Sequence, residues 1–92
     1  MHERLEAVVR GRVQMVMFRD FTQRKASGLK LRGEVKNRSD GTVYVVAEGN
    51  RKSLEVLVQK LFKGTLLAKV ESVEVTWLPA ENTFTTFTLI TQ

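Results

Sequence analysis

The sequence predicts an α+β domain, one sheet with two helices across it, and three observations predict it. Leu5, Ala7 and Val9 alternate with Glu6, Arg10 and Arg12, the period of two that marks a half-buried strand. Leu54, Leu57, Val58, Leu61 and Phe62 recur at spacings of three and four, the stripe of a helix with one buried face. Turn and stop signals at Gly28, Asp40-Gly41, Gly64 and Pro79 divide the 92 residues into short elements with no linker or repeat.

The first strand continues the alternation through Gly11 and Val13. Asp20 to Ser27 is predicted as a short helix, with Phe21 and Ala26 inward and Gly28 as its stop. A second strand follows, with Leu31, Gly33, Val35 and Asn37 on one face and Lys30, Arg32, Glu34 and Lys36 on the other. Asp40-Gly41 turns a hairpin, and Val43, Val45 and Ala47 return on the inward face. Asn50 is positioned to cap the second helix, which ends at Gly64. Val70, Val73, Val75 and Trp77 form a fourth strand, and a turn at Pro79-Ala80-Glu81-Asn82 leads to a fifth carrying Phe84, Phe87 and Leu89. The order is the ferredoxin-like βαββαβ sandwich with an extra C-terminal strand: an antiparallel sheet, two helices on one face, and a single domain over residues 1–92. In the split arrangement the first two strands run the same way on either side of the third. Arg19, after strand one, and Asn37, ending strand two, should therefore meet at one edge of the sheet.

Composition removes several chemistries. The chain has no cysteine, so neither a disulfide nor a thiolate metal site can form, which fits a reducing compartment. His2 is the only histidine and stands near a terminus, which excludes a Ser-His-Asp triad and a histidine metal site. No apolar run approaches the ~20 residues of a membrane span, and Met1-His2-Glu3-Arg4 does not open a signal peptide. A cytoplasmic monomer is expected. Residues 1–38 carry ten Lys/Arg against four Asp/Glu, a net +6, whereas residues 39–92 carry five against six, a net −1. The basic half suits an anionic partner, although charge alone favours a solvated basic face.

The stretch "GRVQMVMFRDF", residues 11–21, holds the chemistry. A helix starting near Asp20 offers free N–H groups and a positive dipole end to the loop before it. Gln14, Met15, Val16, Met17 and Phe18 form a tight connection that can turn further amides inward as an anion nest. Arg19 adds a guanidinium able to grip two oxygens of a phosphoryl group. Asn37, inward by parity, can orient a water without titrating. Such a site can catalyse without histidine if the leaving group is good. The carboxylate of an acyl phosphate needs little protonation, and phosphoryl transfer is mainly positioning and charge stabilisation.

The segments "GRVQMVMFR", "VKNRSDGTVYVVAEGN" and "VESVEVTW" resemble the acylphosphatase family over nearly the whole chain. The resemblance implies that the amides of residues 14–19 and Arg19 bind phosphate, that Asn37 orients the attacking water, and that acyl phosphate and water become carboxylate and phosphate. It implies no metal and no cofactor, and it makes inorganic phosphate or a similar oxyanion a ligand. Met15 and Met17 depart from the family pattern, which usually has glycine at the first position and often at the second. A positive φ at Met15 would carry ~1–2 kcal/mol of strain, which leaves a weakly active or inactive anion-binding or regulatory domain as the alternative. Glu34 and Thr65 stand where an aromatic and a proline are common and read as surface and loop variation.

Taken singly, Arg19 is an ordinary junction arginine and Asn37 an ordinary Asx-turn residue. Their joint placement favours function. Asp20 reads as a first-turn helix charge rather than a base. An RNA-binding sheet, the other reading for this topology, needs two or three stacking aromatics on the open face, where strand three offers only Tyr44.

Overall fold

A computed structural model describes residues 2–91. In it the chain runs β1 (His2–Arg12), α1 (Phe18–Gly28), β2 (Arg32–Asn37), β3 (Val43–Asn50), α2 (Arg51–Lys63), β4 (Lys69–Pro79) and β5 (Phe87–Leu89). The sheet order is β4-β1-β3-β2-β5. β1 pairs antiparallel with β3 and β4, and β2 pairs antiparallel with β3. The α+β sandwich with its extra strand is therefore present, but the sheet is mixed and not antiparallel throughout. β5 pairs parallel with β2. The reason is the route of the chain: it leaves β4 at the end of the sheet where β1 begins, passes Glu48 of β3, and restarts in the direction of β2.

The inward parity of the strands is as expected. Leu5, Ala7, Val9, Val13, Val35, Val43, Val45 and Ala47 form one buried cluster with Phe18 and Ala26 of α1 and Leu54, Leu57 and Leu61 of α2. Helix details differ. α1 begins at Phe18, two residues earlier than expected, because Phe18, Thr22 and Ala26 at four-residue spacing form its buried stripe. Phe21 is only half-buried beside Phe18. Gly28 is the last helical residue, and the left-handed position that reverses the chain falls on Lys30 (φ 61°). In α2, Asn50 caps the helix by accepting from the Lys52 N–H at 2.9 Å, whereas Phe62 falls outside the Leu54-Leu57-Leu61 stripe and is 54% exposed. Phe84 lies outside β5, its ring 5.7 Å from the Arg4 guanidinium.

Two features position the ends of the sheet. At one end β1 carries a bulge at Arg10/Gly11, where Gly11 takes φ 126° and any side chain would press on the Lys69 carbonyl oxygen. The bulge precedes buried Val13 and the loop to α1. At the other end Glu48 of β3, 4% exposed, accepts from Arg4 Nη1 at 3.1 Å and from the N–H groups of Glu81 and Asn82 at 2.9 Å each. Burial alone would push the Glu48 carboxyl up; the two amides and the guanidinium outweigh it and hold it below the usual carboxylate range. This clasp fixes the crossing segment that delivers β5 to the far edge.

Candidate active site

The loop from Val13 into α1 has alternating backbone handedness. Met15 (φ 60°) and Met17 (φ 63°) are left-handed, while Gln14, Val16 and Phe18 are not. Alternation of this kind turns successive N–H groups toward one side and forms a nest. Each methionine carries about 1–2 kcal/mol of strain for it. Side-chain volume adds no obstacle, because Met15 is 98% and Met17 69% exposed.

The strained loop is held through its carbonyls and its ends. Gln14 Nε2 donates to Arg38 O at 2.8 Å and to Thr42 O at 2.9 Å, tying the loop to the hairpin that follows Asn37. That hairpin is itself closed by Asp40, whose Oδ1 accepts from the Thr42 hydroxyl at 2.7 Å and the Thr42 N–H at 3.0 Å. On the other side Thr65 Oγ1 donates to Val16 O at 3.0 Å. Met17 O accepts from the Phe21 N–H at 3.0 Å and Phe18 O from Thr22 Oγ1 at 2.9 Å. The amides of Met15, Val16 and Met17 donate to no oxygen among the described residues.

Beside this loop lies a cavity of about 310 Å³. Val13, Phe18 and Leu89 form its apolar wall, and Met15 and Met17 stand at its mouth. Its polar lining is Arg19, Asp20 and Asn37, so the two residues eighteen positions apart in sequence share one cavity, as the topology required. Arg19 is aimed by the residue that follows β5: its Nη1 donates to the carbonyl oxygen of Ile90. Asn37 Oδ1 is buried and has no hydrogen-bond partner among the described residues. A buried acceptor in that condition is rare and demands a donor. Asp20 is paired with Arg24 at 2.9 Å, in keeping with a first-turn helix charge.

Of the residues singled out in the sequence, Met15, Met17, Phe18, Arg19 and Asn37 line the cavity, and Gln14 and Val16 do not. The Gln14 side chain instead spans two carbonyls of the neighbouring hairpin. Sequence reasoning missed the Ile90 carbonyl, a backbone group without a signature. It also took Thr65 for loop variation, whereas its hydroxyl braces the loop between β1 and α1. Among the described residues no three His, Asp or Glu side chains are grouped to hold a metal ion.

Comparison with known proteins identifies the family. A sequence model of the acylphosphatase family matches residues 5–89. An acylphosphatase of Thermus thermophilus is 51% identical over 74 residues, 80% of this chain and 84% of that protein. One of Salinibacter ruber is 44% identical over 85 residues, 92% of this chain and 90% of that one. The crystal structure of acylphosphatase from Bacillus subtilis superposes with a TM-score of 0.93 at 37% identity, covering 98% of this chain and 99% of its own. Because the match takes in the loop, Asn37, both helices and the braced fifth strand together, the chain belongs to the acylphosphatase family.

Proposed function

We propose that this protein hydrolyses the carboxyl–phosphate bond of acyl phosphates. The nest amides of residues 14–19 and the Arg19 guanidinium hold the phosphoryl oxygens, and Asn37 Oδ1 accepts from the attacking water. The water oxygen forms a bond to phosphorus while the bond from phosphorus to the acyl oxygen breaks. Its electron pair leaves with the carboxylate, and the water's protons remain with inorganic phosphate or pass to solvent. No general acid is required because a carboxylate is a good leaving group. The donors act on charge spread over the phosphoryl oxygens, where one well-aimed donor is worth about 3–4 kcal/mol. Inorganic phosphate, as product, is a ligand of the same site.

The observation that carries the reading is the orphaned Asn37 acceptor in one cavity with Arg19. The inactive anion-binding alternative rested on Met15; the left-handed strain is present there, but the side chain stands in solvent rather than blocking the loop, and the acylphosphatase relatives favour the enzyme. An RNA-binding face is disfavoured too: Tyr44 is covered by Arg38 at 4.4 Å and Lys36 at 5.7 Å. The setting proposed for this activity is a single-domain, cytoplasmic monomer. One buried cluster drawing on strands and both helices supports the single domain. Release of phosphate from acetyl phosphate by the pure chain tests the function, with a phosphate monoester as the contrast. Acyl phosphate should be cleaved and the monoester left intact; no release from either would refute the proposal.

A further inference from the structure

We infer that Thr65 is a positioning residue for the anion site: its hydroxyl locks the peptide between Val16 and Met17 so that the Met17 N–H faces the phosphate. The inference rests on the hydrolase reading above. Thr65 lies in the connection between α2 and β4, and its Oγ1 donates to Val16 O at 3.0 Å. In a trans peptide the C=O and N–H of one plane point in opposite directions. A carbonyl held toward Thr65 therefore sends the Met17 N–H away from it. The cavity lies on that other side, since Met15 and Met17 line it and neither Val16 nor Thr65 does.

The peptides that follow are set by α1 itself, Met17 O accepting from the Phe21 N–H and Phe18 O from Thr22 Oγ1. The 16–17 peptide precedes the helix and needs a partner from another part of the chain. It also leads from Val16, which is not left-handed, into left-handed Met17. Turning its plane over, through ψ of Val16 and φ of Met17, would carry Met17 out of the left-handed region (φ 63°) and point a carbonyl, not an N–H, at the anion. The strain released by that flip and the strength of one hydrogen bond are of the same order. The Thr65 tie thus opposes a flip that the methionine would otherwise favour.

The test is a titration of the wild-type backbone amide resonances with inorganic phosphate, joined to kinetics with acetyl phosphate for Thr65→Val and Thr65→Ser. The Met17 amide should shift on phosphate saturation. Thr65→Val should raise KI for phosphate and KM about tenfold, the effect of losing one charge-assisted hydrogen bond, with the melting temperature little changed. Thr65→Ser, which restores the hydroxyl, should return both constants close to wild type. A silent Met17 amide among shifting neighbours, or a folded Thr65→Val protein with wild-type KI, would overturn the inference while leaving the hydrolase reading intact. Wild-type protein that shifts no loop amide and cleaves no acetyl phosphate would overturn both. Should Thr65→Val not fold, the wild-type titration decides alone.

Discussion

Two polar clusters sit near opposite ends of β3, and they are built on opposite principles. Near one end Glu48 is buried with every demand met: two backbone amides and the Arg4 guanidinium converge on its carboxylate. Beside the other end, next to Val43, Asn37 keeps a buried acceptor without a partner, and the adjoining loop amides donate to nothing, among the described residues. Polar groups that satisfy one another hold structure together. Polar groups left unpaired, at a cost in stability, are available to a ligand. The strained methionines lie at the second end, where function can require what stability would reject.

Substitution can break this contrast, beginning with the largest effect. Arg19→Ala should lower kcat/KM for acetyl phosphate about 10³-fold, with a melting curve close to wild type, since one cavity cation is removed from a half-buried site. Arg19→Lys should recover little, because a lysine cannot make the two-pronged contact. Glu48→Ala should reverse the pattern, with about 3 kcal/mol of unfolding free energy lost in a denaturant titration. Activity per folded molecule should change far less. The clasp also makes a pH signature. The folded Glu48 carboxyl titrates below its unfolded counterpart, so its contribution is fully present above the ordinary glutamate range and is lost as pH falls through the folded value. The stability gap between wild type and Glu48→Gln should therefore narrow on acidification, as thermal melts at successive pH values would record.

Asn37→Ala sharpens the comparison. We expect kcat to fall about 10²-fold with KI for phosphate nearly unchanged, and stability to hold or rise because an unsatisfied buried acceptor is removed. A clear loss of melting temperature would mean that Asn37 belongs with the structural cluster. The smallest effect concerns Met15→Gly. Relief of the left-handed strain, offset by the extra freedom glycine has when unfolded, should raise stability by about 0.5–1 kcal/mol, measurable by denaturant titration.

Much of the site was legible because it follows from periodicity and topology. Parity put Asn37 on the inward face with Val35, and the split βαβ order put its edge beside the loop of Arg19. Local signals at Asn50 and Asp40-Gly41 worked because their partners lie two residues away. What stayed hidden depends on distant partners. Nothing in the sequence pairs Gln14 with Arg38 and Thr42, Thr65 with Val16, or Arg19 with a carbonyl 71 residues on. Intrinsic preference also misled at Gly28 and Lys30, where the demands of the helix exit put the left-handed residue on a lysine two positions after the glycine. Phe62 looked buried because apolar character was read as burial, although α2 needs only its narrow leucine stripe.

The Ile90–Arg19 bond has a bearing on when the molecule becomes competent. A partly folded chain could assemble β1, β3, α1 and α2 around the leucines and valines of the core and still lack the carbonyl that orients its guanidinium. Docking of the three-residue strand brings in that carbonyl, so turnover requires this strand to be in place. Recovery of catalysis during refolding would report the arrival of that strand.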